Sequence, residues 1–201
     1  MKLRIMLLAL FAAIVAAGCA GITDALLNMR RLQFKLDNVN NFQLAGVNLS
    51  NKTSISDFSI SDALALKRAF SNRSLPAQFI INVAAKNPND GTSGTRQSDA
   101  TLSGLDWRLF IDGKETVAGG LASAVSVPGN GQTTTVPLSV NVNLYEFFAN
   151  EGYDRLLNLA LALSGAGGTS RISLDARPTV NTAIGPIQYP GRITIVDKEF
   201  R

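Results

Sequence analysis

The 201-residue chain contains no histidine. That removes the commonest general base, the commonest zinc ligand and the usual switch near neutral pH. Ser-His-Asp and Cys-His catalysis are excluded within the chain. Cysteine occurs once, at Cys19, so neither an intrachain disulfide nor a thiolate cluster can form. Charged residues are 17%, below the usual share, and the net charge is only +4. There is no basic tract and no alternation of basic with aromatic residues, so nucleic-acid binding is not expected. No metal or cofactor is implied. Paired carboxylates remain as an acid–base route. Asp106 and Asp112 share a parity near a hairpin tip, but the strand between them spans about 20 Å. Such catalysis needs roughly 5–9 Å. The chain reads as a non-enzyme.

What is present begins with a leader. Lys2 and Arg4 precede an almost wholly apolar run, Leu3 to Ala17, closed by Gly18-Cys19-Ala20. A basic start, a short apolar stretch and small residues at its end form a secretory signal. The run is short of the ~20 apolar residues that span a bilayer. Ala16-Ala17-Gly18-Cys19 resembles the bacterial lipobox, with Ala16 where leucine is usual. The resemblance implies cleavage before Cys19 and lipid on its thiol. The expected division is a signal peptide over 1–18, a lipidated tether over 19–30 and one domain over 31–201. More than one acyl chain suffices for stable anchoring. Ala20, where aspartate would favour the inner membrane, leans toward the periplasmic side of the outer membrane. An inner-membrane lipoprotein and a soluble periplasmic protein are the alternatives.

At 46% hydrophobic residues, the rest of the chain can build a core. Its apolar residues alternate. Leu32, Phe34 and Leu36 open a half-buried strand, and Asn38 to Asn41 is expected to interrupt it. Phe42 to Ser50 resumes with a change of phase, which a bulge at Ala45-Gly46 would reconcile. Phe79, Ile81, Val83 and Ala85 line one face of a strand that stops at Asn87-Pro88-Asn89-Asp90-Gly91. Proline cannot donate to a ladder and the asparagines supply turn geometry, so Asn87, Pro88 and Asn89 are expected to form a structural turn. Leu105, Trp107, Leu109 and Ile111 share a parity, which places Trp107 in the core. Asp112-Gly113 is a hairpin signal. Gly119-Gly120 is read as a strand breaker. Thr133 to Leu144 alternates cleanly, with Pro137 hinting at an edge position or a bulge. Strands at Ile172–Arg177 and Ile187–Val196 close the chain.

Two helices are expected. One spans Ser61 to Phe70, capped by Ser61, with Ala63, Leu66 and Phe70 on its buried face. Lys67, Arg68 and Arg73 form a small basic cluster at its end. A solvated helix terminus explains them, favoured by the dipole. Contact with a partner or with anionic headgroups is the alternative. The other helix starts at the capping-box spacing Asn143–Glu146 and covers an open end of the core, broken at Gly152. Gly165-Ala166-Gly167-Gly168-Thr169 lacks the Gly-Lys-Ser/Thr of a phosphate loop and is read as a linker. The expected fold is mainly β: an antiparallel immunoglobulin/fibronectin-III-like sandwich of about seven strands with one or two short helices.

The strand ending in Asn87-Pro88-Asn89, the strand Leu105 to Ile111, the return through Gly119-Gly120 and the long strand before a helix resemble the LEA type 2 family. This is also called the water stress and hypersensitive response (WHy) domain. The resemblance covers about Leu32 to Val196. It implies a fibronectin-III-like sandwich, no catalytic residues, and a stress-protective or scaffolding role at a membrane surface. The alternatives are an adaptor that binds another envelope protein by strand-edge pairing, with the first and last strands as candidate edges, and a carrier of lipid or a small apolar ligand.

Overall fold

A computed structural model describes residues 32–92, 97–166, 172–182 and 185–197. The expected signal, Cys19 and the tether lie outside these residues. One antiparallel sheet contains β1 (Gln33–Leu44), β2 (Val47–Asn48), β3 (Pro76–Lys86) and β7 (Thr133–Asn143), in the order β2-β1-β3-β7. The second sheet has six strands. Its path runs from β10 (Ile193–Ile195) through β8 (Ile172–Thr182) and β4 (Ala100–Ile111) to β5 (Lys114–Gly119). β6 (Val125–Val127) also pairs with β4, and β9 (Gly185–Gln188) with β8.

The alternation read in the sequence decides what faces inward. Phe79, Ile81, Val83 and Ala85 of β3 are buried, as are Val136, Leu138, Val140 and Val142 of β7. From the second sheet come Leu105, Trp107, Leu109 and Ile111 of β4 with Leu174, Ala176 and Val180 of β8. All belong to one apolar cluster, so the two sheets share a core in a sandwich-like arrangement. Phe42 and Phe79 stack across β1 and β3 with ring centres 4.8 Å apart.

Several local expectations are corrected. β1 is not ended by Asn38 to Asn41. It continues to Leu44 and absorbs the polar stretch as register shifts at Leu36/Asn38 and Asn40/Gln43. Ala45-Gly46 is a hairpin turn rather than a bulge. Leu44 pairs with Val47, and Ala45 and Gly46 have φ of 48° and 82°. That left-handed pair is the two-residue turn whose twist suits a hairpin. There are ten strands among the described residues, because the last closing segment divides around Pro190-Gly191 into β9 and β10, while β2 and β6 are short, separate strands. β5 ends at Gly119 and Gly120 lies outside it, as the reading of Gly119-Gly120 as a strand breaker expects. A side chain at Gly119 would sit 2.3 Å from the Trp107 ring, so the glycine makes room for the indole.

The helices gather at one end. α1 (Ile60–Ser71) joins β2 to β3. Its cap is Ser59 rather than Ser61: the Ser59 hydroxyl accepts from the Asp62 amide, and the Asp62 carboxylate accepts from the Ser59 amide. The expected buried face holds only in part. Leu66 is buried and Phe70 half-buried, whereas Ala63 is exposed. α2 (Leu144–Phe148) and α3 (Tyr153–Leu161) follow β7, separated at Gly152, whose φ is 78°. Leu156, Leu157, Leu159, Ala160 and Leu163 join the common core, so this segment plugs the sandwich as expected. Phe70 meets Tyr145 and Tyr153 edge-on and fastens α1 to α2 and α3. No helix among the described residues is long and apolar enough to cross a membrane.

Candidate docking surfaces

The Asn87–Asn89 turn lies at the opposite end of β3 from the helices. It is a buried knot. Asn87 and Asn89 are 0% and 1% exposed. The Asn87 side chain donates to Ser98 O at 2.8 Å and Val127 O at 3.2 Å, and its Oδ1 accepts from Asn89 N at 3.1 Å. It thus joins three segments far apart in sequence. Gly129 completes the knot, since a side chain there would meet Ser98 O and Asn89 O at 2.3 and 2.4 Å. Satisfied amides behind a closed backbone leave nothing for a ligand to bind.

Sheet edges are the second place to look. An antiparallel strand points the N–H and C=O of alternate residues to opposite sides. Leu144 N donates to Leu75 O, and Ala45 N to Pro76 O. Odd residues of β3 therefore face β7, and even residues of β7 face β3. The β3–β7 register runs from Pro76 to Lys86 without a shift, passing Asn82–Pro137. Pro137 thus turns its donorless nitrogen outward, where the ladder loses nothing. The N–H groups of Thr133, Thr135, Ser139 and Asn141 also face out, and they have no acceptor among the described residues. β5 and β6 of the other sheet lie beside β7 without a backbone hydrogen bond to it.

The other edges are shorter or covered. β1 is capped by β2 and by Val196, whose carbonyl accepts from Leu36 N at 3.0 Å. β9 and β10 have four and three residues. β5 has six and is irregular where it meets Leu109/Phe110. Neither the first nor the last strand, the candidates from sequence, offers a long free edge. The open edge is β7, eleven residues without a charge.

The third surface is α1 with the polar turn before it. Ile55, Ile60 and Leu64 are 49%, 83% and 50% exposed. They are the exposed large apolar side chains of the described residues, and they fall within ten positions. Lys67, Arg68 and Arg73 are exposed and have no carboxylate partner among the described residues. The nearby acids are occupied. Asp62 pairs with Lys52 at 3.0 Å, which with the Ser59 hydrogen bonds holds its pKa below the ordinary aspartate value. Asp57 accepts from the Thr53 and Ser54 amides, which lowers its pKa likewise. Sequence reading found the three cations and missed the apolar residues. Ile60 and Leu64 lie opposite Leu66 and Phe70 at helical spacing, a signal that was available.

A recess of about 600 Å³ separates the β4–β5 turn from α2 and α3. It is lined by Asp112, Lys114, Glu151, Arg155 and Asn158 with Phe147, Phe148 and Leu159. Arg155 pairs with Glu151 at 2.8 Å, and Lys114 Nζ donates to Phe147 O. A polar recess with its charges engaged is not an apolar carrier chamber. Asp106 is the partner of Arg192, whose Nη1 and Nε reach Asp106 and Asp175 at 2.9 and 2.8 Å. Burial would lower the Arg192 pKa, but these carboxylates outweigh it and raise it. This clamp fastens the β9–β10 connection to the sheet. No group of metal-ligating side chains occurs among the described residues.

No family model matches the chain. No curated protein matches it either. Solved structures show distant likeness. A protein from Archaeoglobus fulgidus is 13% identical over 83% of this chain and 94% of its own, with a TM-score of 0.34. A structural-genomics target solved by X-ray is 9% identical over 83% and 87%, at 0.38. The solution structure of a protein assigned to the late embryogenesis abundant (LEA) group is 14% identical over 94% and 84%, at 0.36. With every score below 0.5, these likenesses decide neither family nor function.

Proposed function

We propose that this chain is a non-enzymatic envelope adaptor whose β7 edge takes up an extended segment of a partner protein. The observation that carries the reading is that edge. Among the described residues it is long, uncharged and unpaired, while the other edges are short or covered. An edge with free N–H and C=O groups recognises backbone, and an added strand satisfies them. The exposed Thr135, Ser139 and Asn141 side chains suit a polar segment. The sandwich is of the immunoglobulin/fibronectin-III type and corresponds to a LEA type 2 domain. Lipid on Cys19 holds it at the periplasmic side of the outer membrane. The basic start, the apolar run and the small residues before the sole cysteine support that anchor. A purely stress-protective role, the other implication of the LEA type 2 resemblance, needs no free edge.

Ser139→Pro tests the edge. It removes an outward donor and leaves the ladder to β3 intact, so the fold should lose under about 1 kcal/mol. Leu138→Pro removes a ladder donor and should cost about 3 kcal/mol or more. In cells, a photoreactive residue at position 135 should join one defined protein. The complex should slow hydrogen exchange at Thr133, Thr135, Ser139 and Asn141, and Ser139→Pro should abolish both effects. Crosslinking that survives Ser139→Pro would reject strand pairing. Mass spectrometry of the mature N-terminus should find an acylated Cys19, and an unlipidated N-terminus beyond it would reject the anchor.

A further inference from the structure

We infer that the outer face of α1 is a docking surface for an anionic lipid bilayer. Exposed large apolar side chains on a folded domain are normally scattered and need no explanation. Here Ile55, Ile60 and Leu64 are gathered on one turn and one helix. Ile60, Leu64 and Ser71 share a side of α1, since residues four and eleven positions apart nearly eclipse on a helix of this pitch. Lys67 and Arg68 flank that side, and Arg73 lies just past the helix end. The opposite side is held by Leu66 and Phe70 against the domain. The helix therefore lies along the surface with an apolar ridge outward and cations beside it. That is the arrangement of a helix seated at a membrane interface.

The charge argues for lipid phosphate. Asp57 and Asp62 are engaged by Thr53, Ser54, Ser59 and Lys52. Three cations are left without an acid among the described residues, around side chains that gain by leaving water. A headgroup layer meets both needs at once: phosphates for the cations, and the acyl boundary for Ile60 and Leu64. The inference does not depend on lipid at Cys19, nor on the β7 edge. The described chain enters β1 at the end away from α1, where Gln33 pairs with Lys86. The twelve residues between Cys19 and Leu32 can reach about 40 Å. That is about the length of β1, so an anchored chain could still lay α1 on the same bilayer.

The test uses the full chain carrying Cys19→Ser and Ser71→Cys, with an environment-sensitive fluorophore on the new thiol. Ser71 sits on the proposed contact side and its replacement spares Ile60 and Leu64. A second preparation carries the label at Asn141→Cys on β7. With vesicles of phosphatidylcholine plus phosphatidylglycerol, the label at 71 should shift to the blue and be quenched by brominated lipid. The label at 141 should stay in water. Phosphatidylcholine alone should give no shift, and high salt should reverse it. Changing Lys67, Arg68 and Arg73 together to Glu should weaken docking by at least roughly a hundredfold. A label at 71 that stays in water while the chain sediments with the vesicles would overturn the inference. So would equal shifts with and without phosphatidylglycerol. A photoreactive residue at position 60 that joins a single protein rather than lipid in cells would make this face a protein interface instead.

Discussion

The Asn87–Asn89 turn and the Ile55–Arg73 segment depart from ordinary burial in opposite directions. The first buries two amides almost completely, and the second leaves three large apolar side chains in water. A buried polar group and a grouped apolar exposure are the informative departures from a hydrophobic core. They teach different things. Every Asn87 contact is to the chain itself, so the turn is architecture. Among the described residues nothing of the chain covers the α1 face, so its apolar ridge is left for something else. Two stretches that both look polar in sequence thus part company over where their unsatisfied surface lies.

The largest effect sets the scale for that contrast. Trp107 is 2% exposed and its indole lies against Gly119. Its Nε1 has no hydrogen-bond partner among the described residues, so its contribution is packing rather than a bond. Trp107→Ala should cost about 3–5 kcal/mol by denaturant unfolding. Native fluorescence should be blue-shifted and poorly quenched by iodide. Asn87→Ala should come next, at about 2–3 kcal/mol. It strands the Ser98 and Val127 carbonyls and the Asn89 amide behind the backbone. A cost below about 1 kcal/mol would return the turn to the surface and dissolve the contrast.

Periodicity made the core legible. Inward parity in β3, β4 and β7 follows directly from alternation, and so does burial of Trp107. Where alternation fails, so did the reading. Asn38 to Asn41 looks like a break, yet β1 carries it through because register shifts can absorb polar residues at an edge. The cap of α1 was misplaced because Ser59 and Ser61 are both capping residues at the start of the same helical pattern. Only the box with Asp62, three residues after Ser59, separates them. The burial of Asn87 depends on Ser98 and Val127, partners that local sequence does not reveal. Which strand is the free edge is likewise a property of sheet order. Pro137 alone hinted at it.

A smaller effect is expected at the start of α1. Ser59→Ala should cost about 1 kcal/mol, since it removes one half of the capping box. The same site gives a pH dependence with a definite sign. Hydrogen bonds with Lys52 and Ser59 lower the Asp62 pKa in the folded chain. A lowered folded pKa contributes stability above the unfolded value, near 4, and that contribution is lost as pH falls through the folded value. Protection of the amides over residues 60–63, taken relative to the intrinsic exchange rate at each pH, should therefore fall on acidification below about pH 4. Protection that rises in acid would invert the proposed role of Asp62.

The smallest effect on folding is expected at the two residues that define the α1 face. Ile60 and Leu64 point away from Leu66 and Phe70, so the domain gains little from them. Ile60→Ser with Leu64→Ser should change unfolding free energy by less than about 1 kcal/mol, the helix propensity of serine being only slightly poorer. Solubility of the full chain should rise, because an apolar ridge is removed from water. Binding is where the pair should matter, since the blue shift of a label at position 71 on phosphatidylglycerol vesicles should disappear with both serines in place. A loss of several kcal/mol in folding would instead show that α1 packs more closely through this side than the structure has it. The ridge would then be core, and the two polar stretches would no longer differ in kind. A stable double variant that has lost its vesicle signal would leave the turn as architecture and the helix as contact.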